Sequence, residues 1–214
     1  MFEYNRLGIF LSRPVAILFV LIYLSQSVLI IYLVREKFDL ENQLTHQRQR
    51  ISELEEKLEI FQVINDFQIG FTDEEKHQLA EVIFSECDKY DYDPMFLMAL
   101  ILTESSFKRK QVSSMGARGL MQIRPFVGKS LAGKMDMEWE GSEMLMQPDV
   151  NIQMGSRHLF EMILKFKDVR TAVMSYNVGE TELRHRMRED KPLPSTYLNK
   201  VMENYKMLKE RYRV

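Results

Sequence analysis

The sequence feature that most constrains the fold is a run of eight apolar residues, 95–102, which leads almost directly into Glu104. Asp93 and Pro94 precede the run, an order typical of a helix N-cap followed by proline at the first helical position. Glu104 then falls in the last turn of the predicted helix, seven residues after Leu97. Burial and the helix dipole would both raise the pKa of that carboxyl group, as a general acid requires. A lone glutamate at a helix end more often turns to solvent, so the run by itself leaves its role open.

The segment that starts at Glu104 carries an ordered series of motifs. Residues 104–107 are Glu-Ser-Ser-Phe, and residues 113–125 are Ser-x-x-Gly-Ala-x-Gly-Leu-Met-Gln-Ile-x-Pro. Glycines in such a turn allow close backbone approach or a positive φ, which a site for an extended ligand often needs. Further along, residues 175–179 are Ser-Tyr-Asn-Val-Gly. Over roughly residues 72–205, these motifs together resemble the soluble lytic transglycosylase (SLT) domain family of the goose-type-lysozyme-like superfamily.

The resemblance implies an all-α, lysozyme-like catalytic domain over residues 72–214. Members of the family cleave the β-1,4 bond between N-acetylmuramic acid and N-acetylglucosamine in peptidoglycan and leave a 1,6-anhydromuramic acid end. The resemblance makes Glu104 the single general acid/base, and the matched motifs supply no second carboxylate. It assigns glycan binding to seven residues: Ser113, Gly119, Met121, Gln122, Tyr176, Asn177 and Tyr197. No metal ion or other cofactor is implied.

Two positions depart from the family pattern, and two other functions stay open. The family often has an acidic residue four positions before the tyrosine that corresponds to Tyr197, where this chain has Leu193. Glu180 stands where the family often has a small residue or proline. One alternative is a hydrolytic muramidase of the same superfamily, which uses water. The other is a membrane adaptor that binds glycan without cutting it, and an intact Glu104 argues against it because a binding module needs no buried acid.

Residues 14–34 are almost wholly apolar and numerous enough to cross a bilayer as a helix. The run stays apolar past a Ser-Gln-Ser sequence that could mimic a signal-peptidase site, so an uncleaved signal anchor is expected and cleavage is the alternative. Two basic residues flank the span on each side and leave its orientation undecided: Arg6 and Arg13 before it, Arg35 and Lys37 after it. If the domain cuts peptidoglycan, residues 1–13 are cytoplasmic and the domain lies on the extracytoplasmic side of the bacterial inner membrane.

Residues 36–67 are rich in charged residues and glutamine and contain neither glycine nor proline. Seven positions in this segment recur at alternating spacings of four and three, and one of them is polar: Leu40, Leu44, Gln47, Ile51, Leu54, Leu58 and Phe61. This heptad seam predicts a coiled-coil stalk and a parallel homodimer through residues 36–65, in which Arg50 and Glu55 suit an interchain pair. The alternative is a helix that packs on its own domain.

The rest of the chain predicts helices separated by short connections. Thr72 and Glu75 form a capping-box signature for a helix that ends near Tyr90. Asp168 and Ser195 are expected to cap two later helices. These helical patterns, with no convincing strand, indicate an all-α domain behind the span and the stalk.

Residues 129–146 have no helical period, so a loop with short helical turns is expected there. The formal net charge of −2 and the pI of about 6.1 give no support for nucleic acid as a partner. Cys87 is the single cysteine, which excludes an intrachain disulfide. The expected partners are therefore peptidoglycan strands, the membrane and a second copy of the chain.

Overall fold

The computed structural model describes residues 12–212, so nearly all of the predicted cytoplasmic segment, residues 1–13, lies outside the described part. Within 12–212 the helices are α1 (Arg13–Phe67), α2 (Asp73–Tyr90), α3 (Pro94–Ser105), α4 (Pro125–Lys134), α5 (Pro148–Phe166), α6 (Val169–Val178), α7 (Glu180–Arg188) and α8 (Ser195–Tyr212), with a 3₁₀ helix, Ser142–Met146, between α4 and α5. Over the same residues there is no strand, only isolated β-bridges. The predicted all-α class is confirmed.

The chain divides into two compact units, the first ending at Glu53 and the second starting at Leu54. Among the described residues, the first unit contains the part of α1 that ends at Glu53. Among the described residues, α1 is the one helix that is long and apolar enough to cross a membrane, judged by length and composition. Its apolar residues between 15 and 34 are exposed in the isolated chain, as a lipid-facing helix requires.

The end of α1 belongs to the second unit, which corrects the expectation of a stalk as far as residue 67. Ile60, Val63 and Ile64 are fully buried in the helical core. The Phe61 ring stacks on His77 with centroids 4.3 Å apart. A coiled-coil seam and a helix that packs on its own domain share the same three-and-four spacing, so the pattern alone could not separate them. The globular unit therefore starts earlier than residue 72.

Local side-chain chemistry sets the helix ends where the sequence predicts them. The Thr72 hydroxyl accepts a hydrogen bond from the Glu75 N–H at 3.3 Å, and the Glu75 carboxylate accepts one from the Thr72 N–H at 3.0 Å. Asp93 accepts a hydrogen bond from the Met95 N–H at 2.9 Å, and Asp168 caps α6 in the same way. The predicted capping box and both aspartate caps are confirmed.

Residues 129–146 are more helical than predicted. α4 starts at Pro125 and continues to Lys134, and a 3₁₀ helix occupies Ser142–Met146. Gly128 lies so close to Trp139 and Leu145 that a β-carbon there would be 3.0 Å from both side chains. Glycine lowers helix propensity, and here packing against neighbouring elements overrides that preference. Residue propensities alone therefore did not predict α4.

α3 carries Glu104, the predicted catalytic residue, and is deeply buried. The side chains from Leu97 to Ile101 are all inaccessible to solvent. α3 packs extensively against α8, and α5 packs against α2 and α6. This arrangement brings the C-terminal end of α3, which carries Glu104, against a helix from the far end of the sequence.

Candidate active site

α3 stops immediately after Glu104. The C-cap Ser106 has a left-handed conformation with φ of 51°, and its N–H donates to the Leu102 carbonyl at 3.0 Å. The next residue, Phe107, also has a positive φ, 55°, and its side chain is fully buried. This buried ring fixes the chain directly behind the helix end. Glu104 itself is partly buried.

The Glu104 carboxyl group accepts a hydrogen bond from the Tyr197 hydroxyl, with 2.5 Å between Tyr197 Oη and Glu104 Oε1. Tyr197 lies in the first turn of α8, and two further bonds join α8 to the α3 region. Asn204 Nδ2 donates to Thr103 Oγ1 at 2.9 Å, and the Tyr205 hydroxyl donates to Asp93 Oδ2 at 2.7 Å. The bond from Tyr197 therefore holds Glu104 in one orientation on a rigid pair of helices.

Burial raises the pKa of Glu104 to about 7, and the Tyr197 hydrogen bond and the Lys200 charge act in the opposite direction. Sequence analysis predicted the upward direction, and burial is its main cause. Lys200 lies three residues after Tyr197 and was not singled out from the sequence. A carboxyl group with a pKa near neutrality can both give and take a proton, which suits general acid/base chemistry.

The turn that follows α3 is stabilised by hydrogen bonds between its own residues. The Ser113 hydroxyl accepts a hydrogen bond from the Ala117 N–H at 3.0 Å, and the Ser113 N–H donates to the Ala117 carbonyl at 2.9 Å. Gly116 and Gly119 both have φ of 77°, as sequence analysis anticipated for the glycines of this turn. Ser113 is half-buried here, and its hydroxyl proton remains available to a ligand.

Asn151 anchors this turn and was missed by sequence analysis. Its side chain is fully buried. Asn151 Oδ1 accepts from the Met121 N–H at 2.7 Å, and Nδ2 donates to the carbonyls of Arg118 and Leu145, each at 2.9 Å. A β-carbon on Gly119 would overlap both the Asn151 amide and the Leu145 carbonyl. The signal available in the sequence was only a single amide at the start of an amphipathic helix.

Met121 and Gln122 play different parts although they are neighbours. The Met121 side chain is fully buried and contacts the position of Gly155 so closely that any β-carbon there would overlap it. The expectation that Met121 lines the groove therefore does not hold for its side chain. Gln122 is partly exposed with φ of 50°, and its Nε2 donates to the carbonyls of Gly119 and Gln111 at 2.8 and 3.1 Å. These bonds leave its Oε1 for a ligand.

Tyr176 joins this turn to α6. Its hydroxyl donates to the Met121 carbonyl at 2.8 Å, and its ring lies 5.2 Å from the His158 ring, centroid to centroid. Burial, followed by the negative charge of Glu104, keeps the pKa of Tyr176 well above its ordinary value. Tyr176 is therefore a neutral donor near the acid. Asn177 is exposed one residue further on, just before α6 ends.

A cavity of about 570 Å³ lies between α4, α5 and the end of α6. Gln122, Tyr176 and Asn177 line it together with His158, which sequence analysis did not assign. Burial lowers the pKa of His158 to about 4, so this imidazole is neutral at physiological pH. Glu104 is not on the wall of this cavity.

The structure therefore brings the predicted site residues together as two groups, Glu104 with Tyr197 and Gln122 with Tyr176 and Asn177. Tyr176 lines the cavity, and its pKa is raised by burial and, to a smaller extent, by the charge of Glu104. Over the described range 12–212, no group of three or more His, Cys, Asp or Glu side chains could hold a metal ion. The side chains that act on the Glu104 carboxyl group are a hydroxyl donor, Tyr197, and a positive charge, Lys200.

Proteins of known sequence are similar to part of this chain. The transglycosylase of Enterobacteria phage PRD1 is 30% identical over 131 residues, which are 61% of this chain and 44% of that protein. A putative soluble lytic murein transglycosylase of Haemophilus influenzae is 35% identical over 85 residues, which are 39% of this chain and 14% of that protein. The chain therefore spans less than half the length of either relative.

A solved structure gives the fold. The 70 kDa soluble lytic transglycosylase of Escherichia coli is similar with a TM-score of 0.50 and 19% identity, over 69% of this chain and 24% of that one. This likeness confirms the predicted lysozyme-like fold. The sequence profile of the family described as "Transglycosylase SLT domain" matches residues 81–206, more than half of the chain. The matched range holds Glu104, the glycine turn, Tyr176 and Tyr197, and so the chain belongs to the transglycosylase SLT domain family.

Proposed function

We propose that this protein is a membrane-anchored lytic transglycosylase that cleaves the β-1,4 bond between N-acetylmuramic acid and N-acetylglucosamine in peptidoglycan. The names of two similar proteins include murein, the polymer of these sugars. The observation that carries the proposal is the state of Glu104, a partly buried carboxyl group whose pKa is about 7 and which Tyr197 holds in place. A binding module has no use for such a group.

In the first step the Glu104 carboxyl group gives its proton to the glycosidic oxygen. The bond between that oxygen and C1 of the muramic sugar then breaks, and positive charge develops on C1 and the ring oxygen. In the second step the Glu104 carboxylate takes the proton of the sugar's own C6 hydroxyl. O6 bonds to C1 and closes the 1,6-anhydro ring, which returns the proton to Glu104 and consumes no water.

The matched motifs support this intramolecular route, because Glu104 is the one carboxyl group in them. The side chains that shift the pKa of Glu104 are Tyr197 and Lys200, and neither is a carboxylate. Hydrolytic glycosidases usually place a second carboxylate about 5–9.5 Å away to attack the sugar or activate water. The motifs that match the family contain no carboxylate besides Glu104, and a hydroxyl on the substrate itself has the advantage of a pre-oriented nucleophile. Tyr197 can stabilise the carboxylate between the two steps by donating its hydrogen bond.

We assign glycan binding to the residues around the 570 Å³ cavity and the glycine turn. Gln122 Oε1 and the exposed Asn177 amide are free to bond sugar hydroxyl and acetamido groups. Ser113 would add its hydroxyl proton from the turn. Gly119 and Met121 act indirectly, since one admits Asn151 and the other carries the carbonyl that binds Tyr176. Leu193 stands four positions before Tyr197, where the family often has an acidic residue.

We further propose that residues 14–34 are an uncleaved signal anchor in the bacterial inner membrane, with residues 1–13 cytoplasmic and the domain outside. The hydroxyls of Ser25 and Ser27 bond the carbonyls of Ile22 and Tyr23, each at 2.8 Å, so these side chains need no water. Residues 36–53 would form the stalk. Leu44 and Ile51 are exposed on it, which supports a parallel homodimer through the part of the predicted segment 36–65 that lies before Leu54.

The test is mass analysis of the products that the detergent-solubilised full chain releases from purified sacculi. A lytic transglycosylase gives ends lighter by one water than those of lysozyme products. Dominant reducing muramic ends would instead identify a hydrolytic muramidase. Binding to sacculi without cleavage would identify a glycan adaptor, and Glu104→Gln serves as the matched inactive control.

A further inference from the structure

The apolar span of α1, residues 14–34, contains one side-chain amide, that of Gln26. Three consecutive polar residues, 25–27, interrupt the span close to its middle. Ser25 and Ser27 bond backbone carbonyls of the preceding turn. Gln26 is exposed, and its amide makes no hydrogen bond to any other residue between 12 and 212. Its two N–H donors and its carbonyl oxygen would therefore lie unpaired in hydrocarbon.

Gln26 lies in register with the heptad seam of the stalk. Counting back from Leu40 at the same alternating spacings of three and four gives the seam positions within and next to the span: Lys37, Leu33, Ile30, Gln26, Tyr23 and Phe19. Gln26 is two heptads before Leu40 and three heptads before Gln47, the polar position of the stalk seam. α1 is continuous from Arg13 onward, so these residues follow one stripe along one helix.

We infer that Gln26 is an intramembrane contact site for a second copy of this chain, where it hydrogen-bonds Gln26 of that copy. The inference rests on the membrane anchorage proposed above. A glutamine amide both donates and accepts, so two of them facing each other across a parallel pair complement one another. Glutamine side chains commonly join helices in membranes in this way, and most such pairs cross like soluble coiled coils.

The second copy is favoured over an unrelated partner for two reasons. Both copies insert in the same direction, so identical seam residues meet at the same depth, Gln26 in the span and Gln47 in the stalk. The exposed apolar seam residues Leu40, Leu44 and Ile51 continue the same stripe outside the span. Lys37 is the charged residue on this stripe, and within its own helix it pairs with Glu41 at 3.5 Å. A parallel pair thus covers the amide and the apolar seam together.

The test is Förster transfer between labelled full-length chains in phosphatidylcholine vesicles, measured as a function of the protein-to-lipid ratio. Gln26→Leu should weaken association by about three- to thirty-fold, the effect of one interhelical hydrogen bond in a membrane. Gln26→Asn should retain most of it, because it keeps the amide. Ser25→Leu is the matched control: it makes a similar polar-to-apolar change off the seam, and association should not weaken.

Disulfide cross-linking gives a second readout of the same face. Ile30→Cys lies on the seam and should cross-link to its copy in the vesicles, whereas Val28→Cys on the outer face should not. Cys87 is buried, and burial raises its pKa, so it does not compete. Failure of the chain to co-float with vesicles would overturn both the anchorage and this inference. Co-flotation with equal association of Gln26→Leu and Ser25→Leu would overturn the inference alone, and sugar-product analysis would be unaffected.

Discussion

The hydroxyl of Tyr197 lies 2.5 Å from Glu104 Oε1, although 93 residues separate the two in sequence. The bond joins the end of α3 to the start of α8 and lowers a pKa that burial raises to about 7. Without it, the same burial would hold the carboxyl group protonated to still higher pH. In the proposed mechanism, Tyr197 therefore keeps the pKa of Glu104 closer to the pH at which the group can give and then take a proton.

Glu104→Gln should abolish cleavage of sacculi. The amide keeps the shape of the side chain and can still accept a hydrogen bond from Tyr197, but it has no proton to give to the glycosidic oxygen. General acid catalysis contributes about 10²–10⁴-fold, and one group serves both steps here, so the loss should be at or above about 10⁴-fold. The measurement is the rate of release of soluble muropeptides. A variant that keeps more than about a tenth of the activity would remove Glu104 from this role.

The same substitution should make folding stability less dependent on pH. The folded pKa of Glu104 is about 7 against a reference value of 4.5, so its protonated form stabilises the fold fully below about pH 4.5. That contribution is lost as pH rises through about 7. Above that, Glu104→Gln should have a higher free energy of unfolding in urea than the parent, by up to about 3.5 kcal/mol at about 1.4 kcal/mol per pKa unit. Near pH 4 the two proteins should be nearly equal, and a constant difference across this range would contradict the assignment.

Tyr197→Phe should move the pH profile of cleavage. Loss of the hydroxyl removes a hydrogen bond that favours the Glu104 carboxylate, so the alkaline limit of activity should rise by about one pH unit or more. The rate near neutral pH should fall, because the carboxylate needed for the second step becomes less available.

Tyr205→Phe is the matched control for this change. It also removes a tyrosine hydroxyl of α8, but that hydroxyl bonds Asp93 at the opposite end of α3. It should cost about 1–3 kcal/mol of stability through a lost bond to a charged group and leave the pH profile in place. Equal pH profiles for both variants would show that Tyr197 acts only through packing.

Several features of the fold and the site could be predicted because their causes are local. Thr72, Asp93 and Asp168 cap the starts of helices by accepting hydrogen bonds from N–H groups two or three residues later, so a short sequence window contains the whole interaction. The apolar run before Glu104 similarly predicts that this helix is buried. These signals sufficed for the class of fold and for the direction in which the pKa of the acid moves.

The contacts that complete the site come from distant parts of the chain and left no local signal. Asn151 acts on backbone groups of Arg118 and Met121, about thirty residues earlier in the chain. Lys200 influences Glu104 from another helix. In the last turns of α1 the opposite happened: the local spacing gave an apolar seam. The surface that buries Ile60 and Ile64 comes from residues elsewhere in the chain, so the spacing could not identify it. Spacing gives the face of a helix, and tertiary structure decides its partner.

Gly119→Ala and Gly116→Ala should have very different effects, although the two glycines share the same φ of 77°. An alanine at either position must keep a left-handed backbone conformation, which costs roughly 1–2 kcal/mol. At Gly116 nothing lies within 4 Å of the added β-carbon, so the backbone strain is the whole effect. At Gly119 the carbon also overlaps the Asn151 amide and the Leu145 carbonyl, which adds overpacking and disturbs the bonds that Asn151 makes.

The total loss for Gly119→Ala should therefore reach roughly 3–5 kcal/mol, against about 1–2 kcal/mol for Gly116→Ala. Urea unfolding of the full chain in detergent gives both values. At a temperature where each variant is still folded, Gly119→Ala should also cut more slowly, because displacing Met121 moves the carbonyl that binds Tyr176. Equal losses of stability would mean that the turn can move away from Asn151, and that its position relative to Glu104 does not depend on that amide.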